Sequence, residues 1–375
     1  MLTKSNRAIR YRIYPTEEQK HLLSVNFGCA RFVYNKTLEE QNNLYKTSKK
    51  HMSKFEASKW MTSVLKKTYP FLKEADSLAL LNSSFDLNSA FQKFFDKQNG
   101  FPKFKKKSSI QSFTTNVVNN NIRIEDSHIK IPKIGFVKIK IHRTPKPDWI
   151  LKHITVVKDC SDNYYVSCLY EYETDIEAKD ITNVIGLDYK SDGLYCDSEG
   201  NNCNMPHFYK KKEKKLVKLQ RQLSRKKRNS NNYKKHKRKL AKLHNKISNQ
   251  RKDFLHKKSR EITNSYDLVC IEDLDLKSIG SSKSKYHLGK STNDNGYNMF
   301  TNFLDYKLKE MGKHLIRVDK FYPSSQICSE CGERHEMPLH QRVFRCNCGC
   351  EMDRDFNAAI NIKNEGLRLY RLQCS

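Results

Sequence analysis

The chain has 375 residues, enough for two or three domains. Its 71 Lys and Arg against 41 Asp and Glu leave a formal net charge of 71 − 41 = +30, a self-repulsion that a polyanion relieves, and nucleic acid is the usual one. No apolar run reaches the ~18 residues that a membrane helix needs, and the first residues show no apolar signal region, so the expected setting is the bacterial cytosol, near the nucleoid, away from membranes.

Residues Arg7 to Tyr14 alternate in polarity and predict a strand that ends at Pro15. Thr16 with Gln19 has the form of a capping box, so a helix is expected from Glu17. Helical spacing continues through Leu65 and returns from Ser77 to Phe95, where Leu80, Leu81, Phe85, Leu87 and Phe91 supply an apolar face for packing. Beyond Gly100–Lys107 the period becomes two. Ile122–Ile124, Val137–Ile141 and Tyr164–Leu169 predict a small antiparallel sheet or barrel, which the first strand is expected to join. The helical segment is then an insertion.

From Asn183 strands alternate with helices. Val184–Leu187 predicts a buried strand ending at Asp188, with a hairpin partner around Leu194–Cys196. Residues 208–258 hold 22 Lys or Arg against only Glu213 and Asp253. Leu216, Leu219 and Leu223, then Leu240, Leu243 and Ile247, recur at heptad-like spacing and predict two antiparallel helices with a thin apolar seam. A face built only for solubility would mix both signs, so the excess points to nucleic-acid contact. The candidates are Lys210, Lys211, Lys214, Lys218, Arg221, Arg225, Lys226, Lys227, Arg228, Lys234, Lys235, Lys237, Arg238 and Lys239. Leu268–Ile271 predicts a second buried strand, ending at Glu272, and residues 280–285 a polar loop. A helix over Tyr297–Gly312, a strand over His314–Val318 and a last helix from Asn357 complete the pattern.

Two constellations carry chemistry. Asp188 and Glu272 at strand ends and Asp355 at a helix start can converge on one point, where their mutual repulsion calls for a hard cation. Magnesium prefers such oxygen ligands, and two ions suit phosphodiester cleavage. Taken singly, Asp192, Asp197, Asp273, Asp275 and Asp353 read better as ordinary turn, cap or ion-pair residues, with Asp353 also a candidate outer helper to the three acids. The second constellation is Cys328-x-x-Cys331 followed by Cys346-x-Cys348, the four-thiolate set of a structural zinc, with Cys350 as an alternative ligand for the tight second knuckle. Gly332 and Gly349 follow the ligands, where a left-handed turn is useful.

With these residues in view the chain resembles the insertion-sequence TnpB (OrfB) family, the compact relatives of type V CRISPR effectors. The resemblance rests on Gly186-Leu187-Asp188, on Ile271–Leu274, on Tyr322–Cys328, on the two knuckles and on Asp353–Ile362. Near the N-terminus, Arg12–Thr16 and Phe27–Asn35 add to it. It implies a multidomain α/β plus β architecture. An RNase H-like (RuvC) nuclease domain would span 181–375, including a basic helical pair at 208–260 and a zinc-binding insertion at 322–352. A β wedge domain would combine 1–14 with 111–180, around a helical recognition lobe at 15–110. The implied activity is RNA-guided cleavage of double-stranded DNA beside a short motif, with a guide RNA from the transposon end. Asp188, Glu272 and Asp355 would be the catalytic, magnesium-holding acids. Ser77, Asn82 and Thr114 are candidate contacts to the adjacent motif. Tyr189-Lys190 departs from the Leu-Gly that many members carry after the first acid. The alternatives are an RNA-guided DNA-binding regulator with little cleavage and, last, a strand-joining transposase.

Overall fold

A computed structural model describes residues 3–275, 294–338 and 340–374 of the chain. The polar loop expected at 280–285 lies outside them. The chain divides into two compact units, Met1–Asp175 and Ile176–Ser375.

The first unit is built on a seven-stranded antiparallel sheet. Its strands are β1 (Thr3–Tyr14), β2 (Gln111–Asn116), β3 (Arg123–Glu125), β4 (His128–Ile131), β5 (Gly135–Lys140), β6 (Ile150–Lys158) and β7 (Tyr164–Thr174), in the order β2-β6-β7-β1-β5-β4-β3. The first strand therefore occupies the interior of the sheet, paired along its length with β7 and at its end with β5. Alternation along β1 buries Ile9, Tyr11 and Ile13 against Val137, Ile139, Val156 and Val166, and leaves Arg10 and Arg12 exposed between them, as the pleat requires. Between β1 and β2 the chain inserts helices α1 (Glu17–Ser48), α2 (Lys54–Trp60) and α3 (Ser77–Phe95). The Thr16–Gln19 capping box starts α1. The helical pattern breaks where Lys49 turns left-handed and Ser53 with Glu56 starts a new capping box. Asp76 caps α3 and also accepts from the Thr115 hydroxyl, tying the helix to β2.

The second unit carries a five-stranded sheet, with β8 (Val184–Tyr189), β9 (Tyr195–Asp197), β10 (Asn202–Cys203), β11 (Leu268–Glu272) and β12 (His314–Val318) in the order β10-β9-β8-β11-β12. β8, β11 and β12 are parallel, whereas β9 and β10 are antiparallel hairpin strands. The central strands are apolar throughout because both faces are covered. Val269 and Ile271 face the side closed by Leu255 and Ile262 of α5 (Asn231–Ser265) and by Phe300, Leu304 and Leu308 of α6 (Tyr297–Lys309). Leu268 and Cys270 face Ile362 of α7 (Arg354–Cys374). Gly186 is required where β8 meets α7, because a Cβ there would collide with the Ala359 carbonyl oxygen and the Lys363 backbone.

The basic stretch forms α4 (Phe208–Ser224) and α5, which pack through Leu216, Leu243 and Ile247 with Leu219 and Leu240 at the edge. Leu223 is half-buried and lies outside that cluster. A small hairpin of β13 (Val343–Arg345) and β14 (Glu351–Asp353) precedes α7. No described helix is long and apolar enough to cross a membrane.

Candidate active site

Asp188 lies on β8 one residue from its end, Glu272 is the last residue of β11, and Asp355 is in the first turn of α7. Parallel pairing of β8 with β11 sets the first two side by side, and α7 packs across both strands. All three carboxylates line one cavity of about 430 Å³. Burial first, then the charges of Asp355 and Glu272, push Asp188 well above the usual carboxylate range, and burial pushes Glu272 up to about 7. Such a cluster is costly without positive charge, and the chain supplies some of its own. Lys190 Nζ lies 3.4 Å from Asp355 Oδ2, and the Arg354 guanidinium lies 3.0 Å from Asp355 Oδ1. The Lys190 ammonium also donates to Asn202 Oδ1 at 2.8 Å.

The remaining lining is polar and cationic, with Lys320, Arg334, Arg342 and Ser324 among its members. Asp353 lies just outside: its Oδ1 accepts from the Asp355 and Phe356 amides and caps α7. Asp197 accepts the Glu199 and Asn201 amides in the hairpin turn, and Asp273 faces Arg317 at 3.8 Å. Asn295, fully buried, donates to the Lys190 and Ser191 carbonyls and fixes the segment that follows Asp188.

The cysteine knuckle joins the same helix. The Sγ atoms of Cys328, Cys331, Cys346 and Cys348 lie within 4.8 Å of one another, with Cys328–Cys348 at 3.7 Å and Cys331–Cys346 at 3.5 Å. A tetrahedron with ~2.3 Å zinc–sulfur bonds has edges of about 3.8 Å, so the four fit a zinc ion. Cys350 is not in that set of four. Burial raises the Cys328 thiol, but the Cys331 and Glu330 amides outweigh it and bring it down to about 6. Gly332 and Gly349 have φ of +81° and +93°, the left-handed turns that let backbone N–H groups face sulfur. Asn357 and Asn361, one turn apart on α7 and buried, donate to the Ile327 carbonyl, and Asn361 also donates to that of Ser324. The knuckle is thereby fastened to the helix that presents Asp355.

The other sequence candidates are placed as follows. Of the fourteen candidate Lys and Arg on α4, α5 and their connection, all are exposed except the half-buried Lys226. Lys214, Lys218, Arg221 and Arg225 line a groove along α4. Asn82 donates to the Thr114 carbonyl at 3.0 Å, Thr114 Oγ1 lies 2.9 Å from Thr155 Oγ1, and Ser77 Oγ accepts from Lys66 at 3.0 Å. Sequence reasoning missed the roles of Arg354, Asn357 and Asn361. The last two carried a signal, since two Asn at i and i+4 on an otherwise apolar helix face need buried acceptors.

Fold and site define a second unit in which a mixed parallel and antiparallel sheet presents an acid-lined cavity and carries a four-cysteine cluster that could hold a metal ion. The fold is shared with Cas12f1 in the cryo-EM structure of a Cas12f1–sgRNA–target DNA complex (TM-score 0.61, 13% identity, 96% of this chain and 99% of that one). Family profiles match at residues 167–281 (OrfB_IS605, "Probable transposase"), 297–362 ("Cas12f1-like, TNB domain") and 1–50 ("Helix-turn-helix domain"). In the last of these the structure has one strand followed by one 32-residue helix. A Streptomyces pristinaespiralis protein named "Putative RNA-guided DNA endonuclease" is 32% identical over 98% of this chain and 91% of its own. Escherichia coli (strain K12) "Putative RNA-guided DNA endonuclease InsQ" is 30% identical over 97% and 93%. The chain belongs to this OrfB_IS605, or TnpB, family.

Proposed function

We propose that the protein is an RNA-guided DNA endonuclease of a transposon, cleaving double-stranded target DNA beside a short adjacent motif. The observation that carries this is the convergence of Asp188, Glu272 and Asp355 in one cavity of a chain similar along its whole length to two proteins named for that activity. The sheet order β10-β9-β8-β11-β12, with three parallel strands and one antiparallel hairpin, supports an RNase H-like (RuvC) nuclease domain over 181–375. The seven-stranded sheet corresponds to the wedge domain (1–14 and 111–180), and the inserted helices to the recognition lobe (15–110). The exposed cations of α4 and α5 suit the backbone of a guide RNA supplied by the transposon end, which base pairing makes specific. A cytosolic setting follows from such partners.

The three carboxylates are hard oxygen donors and fit magnesium. Two divalent ions held there would supply an activated water and stabilise the leaving oxygen. The chain's own groups do the rest. Lys320, Arg334 and Arg342 bind phosphates at the rim. Asn295 holds the backbone after Asp188. Arg354 holds Asp355 in orientation through its 3.0 Å contact to Oδ1. Lys190 on Asp355 is the one feature favouring the rival reading, a guided DNA-binding regulator with weak cleavage.

The test is to co-express the protein with its native flanking DNA and present the purified ribonucleoprotein, with magnesium, with plasmids bearing a guide-matched target beside randomised flanks. Depletion of particular flanks is expected, and Asp188→Ala, Glu272→Ala or Asp355→Ala should abolish it by at least ~100-fold while retaining the RNA. Bound RNA without depletion would move the conclusion to the regulator.

A further inference from the structure

Phe321 is out of character with its surroundings. It lines the cavity that holds Asp188, Glu272 and Asp355, yet 81% of it faces solvent. The next residue, Tyr322, packs against the core of Ile316 and Val318. The turn that presents the ring is held in place, since the Phe321 amide donates to Asp319 Oδ1 at 2.8 Å and the Tyr322 amide to the Asp319 carbonyl at 3.0 Å. Lys320 Nζ lies 4.8 Å from the ring centroid, and Arg334 and Arg342 line the same cavity. A flat apolar face amid cations matches a nucleic-acid base flanked by phosphates, whereas an apolar protein partner would leave those cations unpaired. At about 430 Å³ the cavity is on the scale of a small-molecule site, and a nucleotide is of that order. Because Asp188, Glu272 and Asp355 line the same cavity, a base held on the ring lies close to the phosphate being cut.

We propose that Phe321 stacks on the base of the DNA nucleotide next to the scissile phosphate, with Lys320, Arg334 and Arg342 taking the neighbouring phosphates. This rests on the nuclease reading above. Stacking of this kind is sequence-tolerant, because every base has a π face, so it suits an enzyme whose sequence choice lies in base pairing. The ring positions the strand and takes no part in proton transfer.

The cut is first mapped with the unmutated ribonucleoprotein. Target DNA carrying 2-aminopurine at the nucleotides flanking that cut is then bound to an Asp188→Ala assembly. Fluorescence at one flanking position should fall several-fold. Adding Phe321→Ala should return it to the free-strand level, and Phe321→Trp should keep it low. In the cleaving protein, Phe321→Ala should lower kcat/KM about ten-fold with RNA retention and melting temperature unchanged, and Phe321→Trp should restore it. Undiminished quenching and cleavage in Phe321→Ala would overturn the stacking and leave the nuclease reading intact. Quenching of 2-aminopurine in the guide RNA instead would overturn the assignment to DNA. Failure of the unmutated protein to cut any guided target would overturn the nuclease reading itself.

Discussion

Lys190 and Asp355 hold opposite charges 3.4 Å apart, with both side chains largely withdrawn from water. A cation entering the acid cavity meets a site already part-neutralised, so the lysine raises the concentration required to fill it. Replacing it by methionine keeps the stem and removes the charge. Lys190→Met should therefore lower the magnesium needed for half-maximal cleavage by about five-fold, roughly 1 kcal/mol, the scale of a partly exposed pair. Magnesium titrations of cleavage, with magnesium-induced shifts in melting temperature beside them, would check this. A higher requirement would mean that Lys190 chiefly holds Asp355 in position. That the residues after Asp188 were unusual is visible in the sequence. The partner was not, because the pair joins a strand to a helix far along the chain, and no local pattern records it. The three acids were legible for the opposite reason: each ends or begins an element whose apolar run is plain.

Strands β8 and β11 were readable because both faces are buried, which leaves four apolar residues in a row followed by an acid. The two basic helices were readable from their seam. The break after α1 was not, since Lys49 and Ser53 interrupt a pattern that otherwise continues. Gly186 shows how a single atom links elements. A methyl group there would meet the Ala359 carbonyl oxygen and the Lys363 backbone, so β8 and α7 would have to separate. Gly186→Ala should cost about 1–3 kcal/mol in urea unfolding with little change in m-value. Because the helix that would move carries Asp355, cleavage should fall more than the loss of folded protein explains. An unchanged midpoint would show that the strand and helix can part freely.

At the scale of the molecule, the net charge of +30 announced a polyanion partner, but composition could not say which face receives it. The structure concentrates exposed cations along α4, α5 and their connection, with few acids among them. Replacing four of them, Lys214, Lys218, Arg221 and Arg225, by alanine should weaken RNA binding at every sequence alike. It should also flatten the plot of log affinity against log salt by about 0.7–0.9 for each phosphate that is no longer neutralised. An unchanged slope would return the groove on α4 to an ordinary solvated surface. The interior place of β1 has a different kind of consequence, one of timing. Its partners β5 and β7 begin only at Gly135 and Tyr164, so β1 leaves the ribosome and waits, unpaired, while the inserted helices form and most of the unit is made. At ~5–20 residues per second that wait lasts roughly 10–30 s, and only afterwards does the sheet that anchors the inserted helices exist.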